Sequence, residues 1–206
     1  MLRSWLAALR DTLLRWWRTP KIRRRFLLSI LGVTVFGAAL VFGAWARACS
    51  GTRCPSIEGL DSYDPDQASK VFAADGRLIT DLGMERRTVL GLQEMSPALV
   101  AAFLATEDKR FYRHHGIDWV RFWGAVKANI LAGGVSEGFS TITMQLARNV
   151  FPEKLTREKT LLRKLREAKV ARAIESRFSK DHILELYLNQ INLGSGAYGV
   201  ETASQR

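Results

Sequence analysis

The sequence predicts a mainly α-helical domain with a small β element, carried behind a single N-terminal transmembrane helix. Three observations predict it. Phe26 to Ala46 is a run of 21 residues without a charge, an Asp-Gly pair at residues 75 and 76 separates two β-prone runs, and apolar residues recur at helical spacing from Ser96 onward.

An uncharged run of that length crosses a hydrocarbon core of about 30 Å as a helix. Residues 1–25 carry eight basic side chains against Asp11 alone, a local charge of +7 within the chain's formal +11. On the other side, Arg47 and Arg53 are followed by Glu58, Asp61, Asp64 and Asp66. The positive-inside bias therefore predicts a cytoplasmic N-terminus, with everything from Arg47 onward outside. Ala46-Arg47-Ala48 resembles a signal-cleavage site, but the apolar run exceeds the ~7–15 residues usual in a signal peptide, which favours retention as an anchor. The remaining 181 residues carry only +4, which excludes a nucleic-acid footprint in the domain. The arginine-rich segment 1–25, with Leu6, Leu9, Trp16 and Trp17, reads as an amphipathic helix on an anionic leaflet or as a disordered basic tail.

Residues 47–95 read as an extracytoplasmic linker and small β element. Cys49 and Cys54 are the only cysteines. Outside the cytoplasm they suit a small disulfide loop, two free thiols being the alternative; two cysteines alone define no metal site. Gly, Ser, Pro and Asp mark the linker to about Asp66, and Ala74-Asp75-Gly76 between Lys70–Ala73 and Arg77–Thr80 predicts a hairpin.

Residues 96–206 read as one mostly helical domain. Ser96-Pro97 predicts an N-cap and first-turn proline for a helix running through about Phe111. Leu99, Phe103, Glu107 and Phe111 then recur at spacing four, which puts Glu107 in an apolar stripe. A second helix, roughly Thr156 to Phe178, places Glu167 beside Val170, Ala171 and Ile174, with Arg163 one turn earlier and able to pair with it. Desolvation raises the pKa of a carboxylate toward the range useful for proton transfer. One such Glu is explained equally well by a buried ion pair; two on separate helices point to catalysis.

Gly138-Phe139-Ser140-Thr141 precedes a helix from Ile142 to Phe151. Its N-terminus, with Gln145, Arg148 and Asn149 further along, suits a phosphate, although simple capping by Ser140 accounts for the same residues. The aromatic segment Gly116 to Leu131, with Trp119, Phe122 and Trp123, suits a membrane interface or a buried core helix.

Together these segments resemble the glycosyltransferase family 51 domain of class A penicillin-binding proteins and monofunctional peptidoglycan glycosyltransferases. The first family motif appears as Glu107-Asp108-Lys109-Arg110-Phe111-Tyr112-Arg113-His114-His115-Gly116, and the second as Gly138-Phe139-Ser140-Thr141-Ile142-Thr143-Met144-Gln145-Leu146-Ala147-Arg148-Asn149. The third corresponds to Arg163-Lys164-Leu165-Arg166-Glu167, and the fourth to Ile183-Leu184-Glu185-Leu186-Tyr187-Leu188-Asn189 with the loop Gly194 to Gly199.

The resemblance implies a lysozyme-like helical fold and polymerisation of lipid II into β-1,4-linked glycan. Glu107 is then the general base on the acceptor's 4-hydroxyl. Glu167 assists at the donor diphosphate, directly or through a divalent cation such as Mg or Mn, while Arg148, Arg163 and Lys164 offset the charge of the leaving group. Ser140, Thr141, Gln145 and Asn149 position the donor, and Asp108, Phe111 and His114 support the first motif. The implied partners are lipid II, the growing strand, the membrane and other cell-wall synthesis proteins. Phe139 stands where the family usually has a second glycine, and the family continues past Arg206 with further helices, so the reading expects a C-terminally truncated domain. A glycan-cleaving enzyme of lysozyme type and an inert membrane subunit are the competing readings. The phosphate-suited motifs argue against cleavage.

Overall fold

The computed structural model describes residues 19–60, 63, 69–82, 86–156, 158 and 160–205. The arginine-rich segment 1–18 and most of the acidic linker after Leu60 lie outside the described residues. The chain divides into two compact units, Met1–Arg47 and Ala48–Arg206.

Helix α1, Pro20–Ala48, has 29 residues, about 43 Å at 1.5 Å per residue, and is long and apolar enough to cross a membrane. Its apolar side chains face outward along the whole run, Val33 and Phe42 at 72% exposure each. Such surface is stable only in an apolar solvent or against a partner.

The second unit begins at a disulfide. Cys49 and Cys54 are bonded, with Cα atoms 5.0 Å apart, and Arg166 Nε donates to the Ala48 carbonyl at 3.1 Å. Strands β1, Ser69–Phe72, and β2, Leu78–Leu82, form the expected antiparallel hairpin. Asp75 accepts from Arg77 N, and Gly76 supplies the positive φ that the turn requires. A second sheet was not anticipated: β3, Arg86–Arg87, pairs in parallel with β4, Ala197–Tyr198.

Helices α2, Pro97–Glu107, α3, Trp119–Ala132, α4, Ile142–Val150, α5, Leu161–Arg177, α6, Lys180–Gln190, and α7, Val200–Ser204, make up most of the rest. Helix α4 packs against both α5 and α6. Ile142, Leu146, Ala147, Val170, Ile174, Ile183, Leu184, Tyr187 and Leu188 form that core, joined by Phe111 and Leu60. Helix α3 differs in kind. Only Ala125 of it is buried, whereas Trp119, Trp123, Ile130 and Leu131 are 55–77% exposed. The buried-helix reading of this aromatic segment is therefore excluded within the described unit.

Three boundaries differ from those that the sequence predicts. Helix α2 stops at Glu107, because Asp108 leaves the helical region at φ −156° and commits its carboxylate to His114 and the Ile142 amide. Phe111 consequently sits in a separate short 3-10 turn, Phe111–Arg113. Helix α5 starts at Leu161, where the Thr160 hydroxyl accepts from Arg163 N, and not near Thr156. The cap of α4 is Thr141, which accepts from Met144 N, and not Ser140.

Candidate active site

Glu107 is the last residue of α2, and its surroundings come from three other elements. Its Oε2 accepts from Gln145 Nε2 on α4 at 2.8 Å, and Tyr187 on α6 donates to Gln145 Oε1 at 3.4 Å. Burial, and then the negative charge of Glu107, push the Tyr187 phenol well above its ordinary value, so it remains a donor. The carboxylate is half-buried and not enclosed. The fully apolar setting expected for it is lost because Phe111 is not on the same helix.

The residue after Glu107 fixes its place. Asp108, 1% exposed, lies 2.9 Å from His114 Nε2 and accepts from the Ile142 amide at 3.1 Å, at the positive end of α4. The other ring nitrogen of His114 is 3.9 Å from Glu175, which is held by Thr143 at 2.5 Å and Lys180 at 2.7 Å. Phe111 and His114 meet edge to face, and Lys180 Nζ lies 4.2 Å from the centre of the Phe111 ring. Thr141 donates to Gly116 O at 2.8 Å while capping α4. Arg121 donates both to the Glu107 carbonyl and, at 3.5 Å, to that of Ser140. It thereby ties the end of α2 to the loop before α4.

Glu167 is fully buried on α5, as the periodicity predicts. Arg163 pairs with its Oε1, Arg148 Nη1 reaches the same oxygen at 3.5 Å, and Lys164 Nζ lies 3.0 Å from Oε2. Lys164 also donates to Ser140 Oγ. Burial draws the Lys164 pKa below the ordinary lysine value, with Arg163 and Arg148 adding to the shift and Glu167 opposing it. Three cations around one carboxylate leave net positive charge facing the loop of Ser140, which suits a polyanion. The same donor set does not fit a divalent cation, because the one carboxylate is already shared among cations that repel the ion.

The predicted residues thus fall into two linked groups. Glu107, Asp108, Phe111, His114, Thr141 and Gln145 form one, and Ser140, Arg148, Arg163, Lys164 and Glu167 the other. Gln145 and Arg148, three residues apart on α4, place the groups side by side. Asn149 takes part in none of these contacts. Arg121, Glu175 and Lys180 were not anticipated. Glu175 had a signal, since it lies eight residues after Glu167 on the same helical face. Arg121 had none, its contacts being with backbone oxygens distant in sequence.

Comparison with known proteins agrees with the motifs. The transglycosylase family model matches residues 75–206. Penicillin-binding protein 1A of Aquifex aeolicus is 44% identical over 184 residues, which is 88% of this chain and 24% of that protein. Penicillin-binding protein 1A of Escherichia coli is 40% identical over 185 residues, 90% of this chain and 21% of that protein. The protein of that name from Haemophilus influenzae is 50% identical over 139 residues, 68% of this chain and 16% of that protein. The chain therefore spans about a quarter or less of the length of these curated relatives.

Proposed function

The chain belongs to the transglycosylase family, and on that premise we propose that it is a peptidoglycan glycosyltransferase that polymerises lipid II into β-1,4-linked strands and releases polyprenyl diphosphate. The observation that carries this reading is the adjacency of a carboxylate free to take a proton and a cationic cluster suited to a diphosphate. Glu107 and Glu167 are reached from the same two turns of α4, by Gln145 and Arg148.

Glu107 takes the proton of the acceptor sugar's 4-hydroxyl as that oxygen attacks the donor's anomeric carbon. The carbon–oxygen bond to the diphosphate breaks from the opposite face, so the α linkage becomes β. The electron pair leaves on the diphosphate, where Arg148, Arg163 and Lys164 stabilise the developing charge. Glu167 holds these cations at fixed positions. It acts by direct ion pairing, and Gln145, backed by Tyr187, aims the base. A glycan-cleaving enzyme needs no such cluster.

The apolar helix α1 is the anchor, with the N-terminus cytoplasmic and the domain outside. The exposed aromatic face of α3 lies in the bilayer interface, which brings the domain to a substrate whose lipid stays in the membrane. The test is to incubate the full chain in nanodiscs with labelled lipid II. Long glycan and one polyprenyl diphosphate per new bond are expected. Sugar fragments released from finished peptidoglycan, without polymer, would replace this reading with that of a cleaving enzyme.

A further inference from the structure

A cavity of about 340 Å³ opens at the N-terminal end of α3, with His114 of the candidate site in its wall. Arg110, Arg113, His115 and Arg172 line it, with Trp119 as an apolar wall. None of Arg148, Arg163 and Lys164 does. Its one carboxylate, Asp118, is engaged: it accepts from the Val120 and Arg121 amides as the cap of α3 and lies 3.4 Å from Arg110 Nε. The guanidinium groups of Arg113 and Arg172 have no hydrogen-bond or ion-pair partner among the described residues. Among the described residues the pocket therefore presents uncompensated positive charge.

Arg113 and Arg172 are distant in sequence, and Gly116 brings them together. At φ +83° it presses its loop onto α5 so closely that a Cβ would lie 2.8 Å from the Arg172 backbone nitrogen. The result is a planar-donor pair flanking a cavity, the arrangement that arginine offers to phosphate. Beside it runs the exposed face of α3, with Trp119 at 55% and Trp123 at 64% exposure. Tryptophan partitions to the headgroup level of a bilayer, and the chain carries a helix long and apolar enough to cross a membrane, which as an anchor would keep the domain at a lipid surface.

We propose that this pocket binds the phosphate of an anionic bilayer phospholipid while Trp119 and the α3 face enter the interface. The inference rests on the interfacial reading of α3 given above and adds a headgroup site to it. Charge complementarity selects an anionic lipid over a zwitterionic one, whose own ammonium group would meet Arg113 and Arg172.

The test uses the full chain in phosphatidylcholine nanodiscs doped with either brominated phosphatidylglycerol or brominated phosphatidylcholine. Quenching of Trp119 is read as the difference between the protein and its Trp119→Phe variant. Quenching by both lipids, with phosphatidylglycerol favoured, is expected. The preference should fall by at least about fivefold in Arg113→Ala/Arg172→Ala, the contribution of a single basic side chain at an anionic surface. It should persist in the control pair Arg53→Ala/Lys154→Ala, whose cations lie outside the pocket. Equal quenching by the two lipids overturns the headgroup site but leaves the interfacial reading of α3. No quenching by either overturns both. Loss of the preference in the control pair as well means general surface charge and overturns the site. Saturable binding of inorganic phosphate that is lost in Arg113→Ala/Arg172→Ala, together with no preference for phosphatidylglycerol in phosphate-free buffer, means a soluble-phosphate pocket and overturns the lipid assignment.

Discussion

Gln145 donates through Nε2 to Glu107 Oε2 at 2.8 Å and accepts through Oε1 from Tyr187 at 3.4 Å, so one amide carries the orientation of this carboxylate back to the core. Glu107→Gln, which removes the proposed base, should lower lipid II polymerisation by about 10²–10⁴-fold, the usual worth of a positioned general base. Gln145→Ala should lower it by roughly ten- to a hundredfold, since a hydrogen bond to a charged group contributes about 1.5–3 kcal/mol. Tyr187→Phe should cost less than either. Single-turnover rates with saturating donor check the order, and a Glu107→Gln variant of near-normal rate removes Glu107 as the base.

Arg163 is the most buried of the three cations on Glu167. Arg163→Ala should weaken a diphosphate-bearing donor analogue by about tenfold or more, because it loses a charge-assisted contact and also disturbs the partner carboxylate. Asn149→Ala, at a position outside the cluster, should change affinity by less than about threefold. Arg163→Lys should restore only part of the loss, since an ammonium cannot reproduce the planar fork. Glu167→Gln should change donor affinity equally with and without added Mg. Calorimetric titration of the analogue distinguishes these outcomes, and a metal response lost in Glu167→Gln alone would restore the metal-bridged role.

The lowered pKa of Lys164 has two consequences of opposite sign. Its folded value lies below the unfolded value of 10.5, so between the two the unfolded chain binds the extra proton and stability rises with pH. In that same window the folded protein loses a charge of the proposed donor site, and diphosphate affinity should fall. Lys164→Arg, which stays charged, should move the alkaline loss of affinity to higher pH. Unfolding and binding measured on one pH series should run in opposite directions below pH 10.5 for the natural residue; parallel curves contradict the assignment.

The two carboxylates show how far the sequence could be read. Glu167 was legible because Val170, Ala171 and Ile174 continue on its side of one uninterrupted helix, and it is fully buried. Glu107 was legible by motif but its environment was not. The spacing of Phe103 and Phe111 suggested one stripe, yet tertiary bonds from Asp108 to His114 and Ile142 end the helix between them. The β3–β4 pair was invisible for a similar reason: two residues per strand show no alternation, and the partners are over a hundred positions apart. Arg121 sits in a helix whose aromatic content dominated the reading, while its bonds go to carbonyls 14 and 19 residues away.

The proposed orientation rests on the charge on either side of α1. The +7 flank before Phe26 has no counterpart after Ala46. A reporter fused after Arg206 should be active only outside the cytoplasm; activity of a cytoplasm-specific reporter at that site reverses the topology.

Gly116 offers the sharpest stability test, because two independent penalties meet there. Its φ of +83° is one that side chains rarely adopt, and an added Cβ would lie 2.8 to 3.0 Å from the backbone of Ala171 and Arg172. Helix backbone cannot yield as the tip of a flexible side chain can, so either the loop lifts off α5 or the helix distorts. Gly116→Ala should therefore cost about 2–4 kcal/mol, in the range of backbone strain combined with overpacking. Lifting the loop also loosens the Thr141 hydroxyl, which donates to the Gly116 carbonyl at 2.8 Å and caps α4, so polymerisation should fall along with stability. Gly124→Ala supplies the control: that glycine lies inside α3 with nothing within 4 Å of the added carbon, and the helix should gain about 0.5–1 kcal/mol. Denaturant unfolding of the two full-chain variants reads the contrast directly. Equal midpoints for both would mean that the loop is not seated on α5 as described, and the shared positioning of Arg113, Arg172 and Thr141 would lose its physical basis.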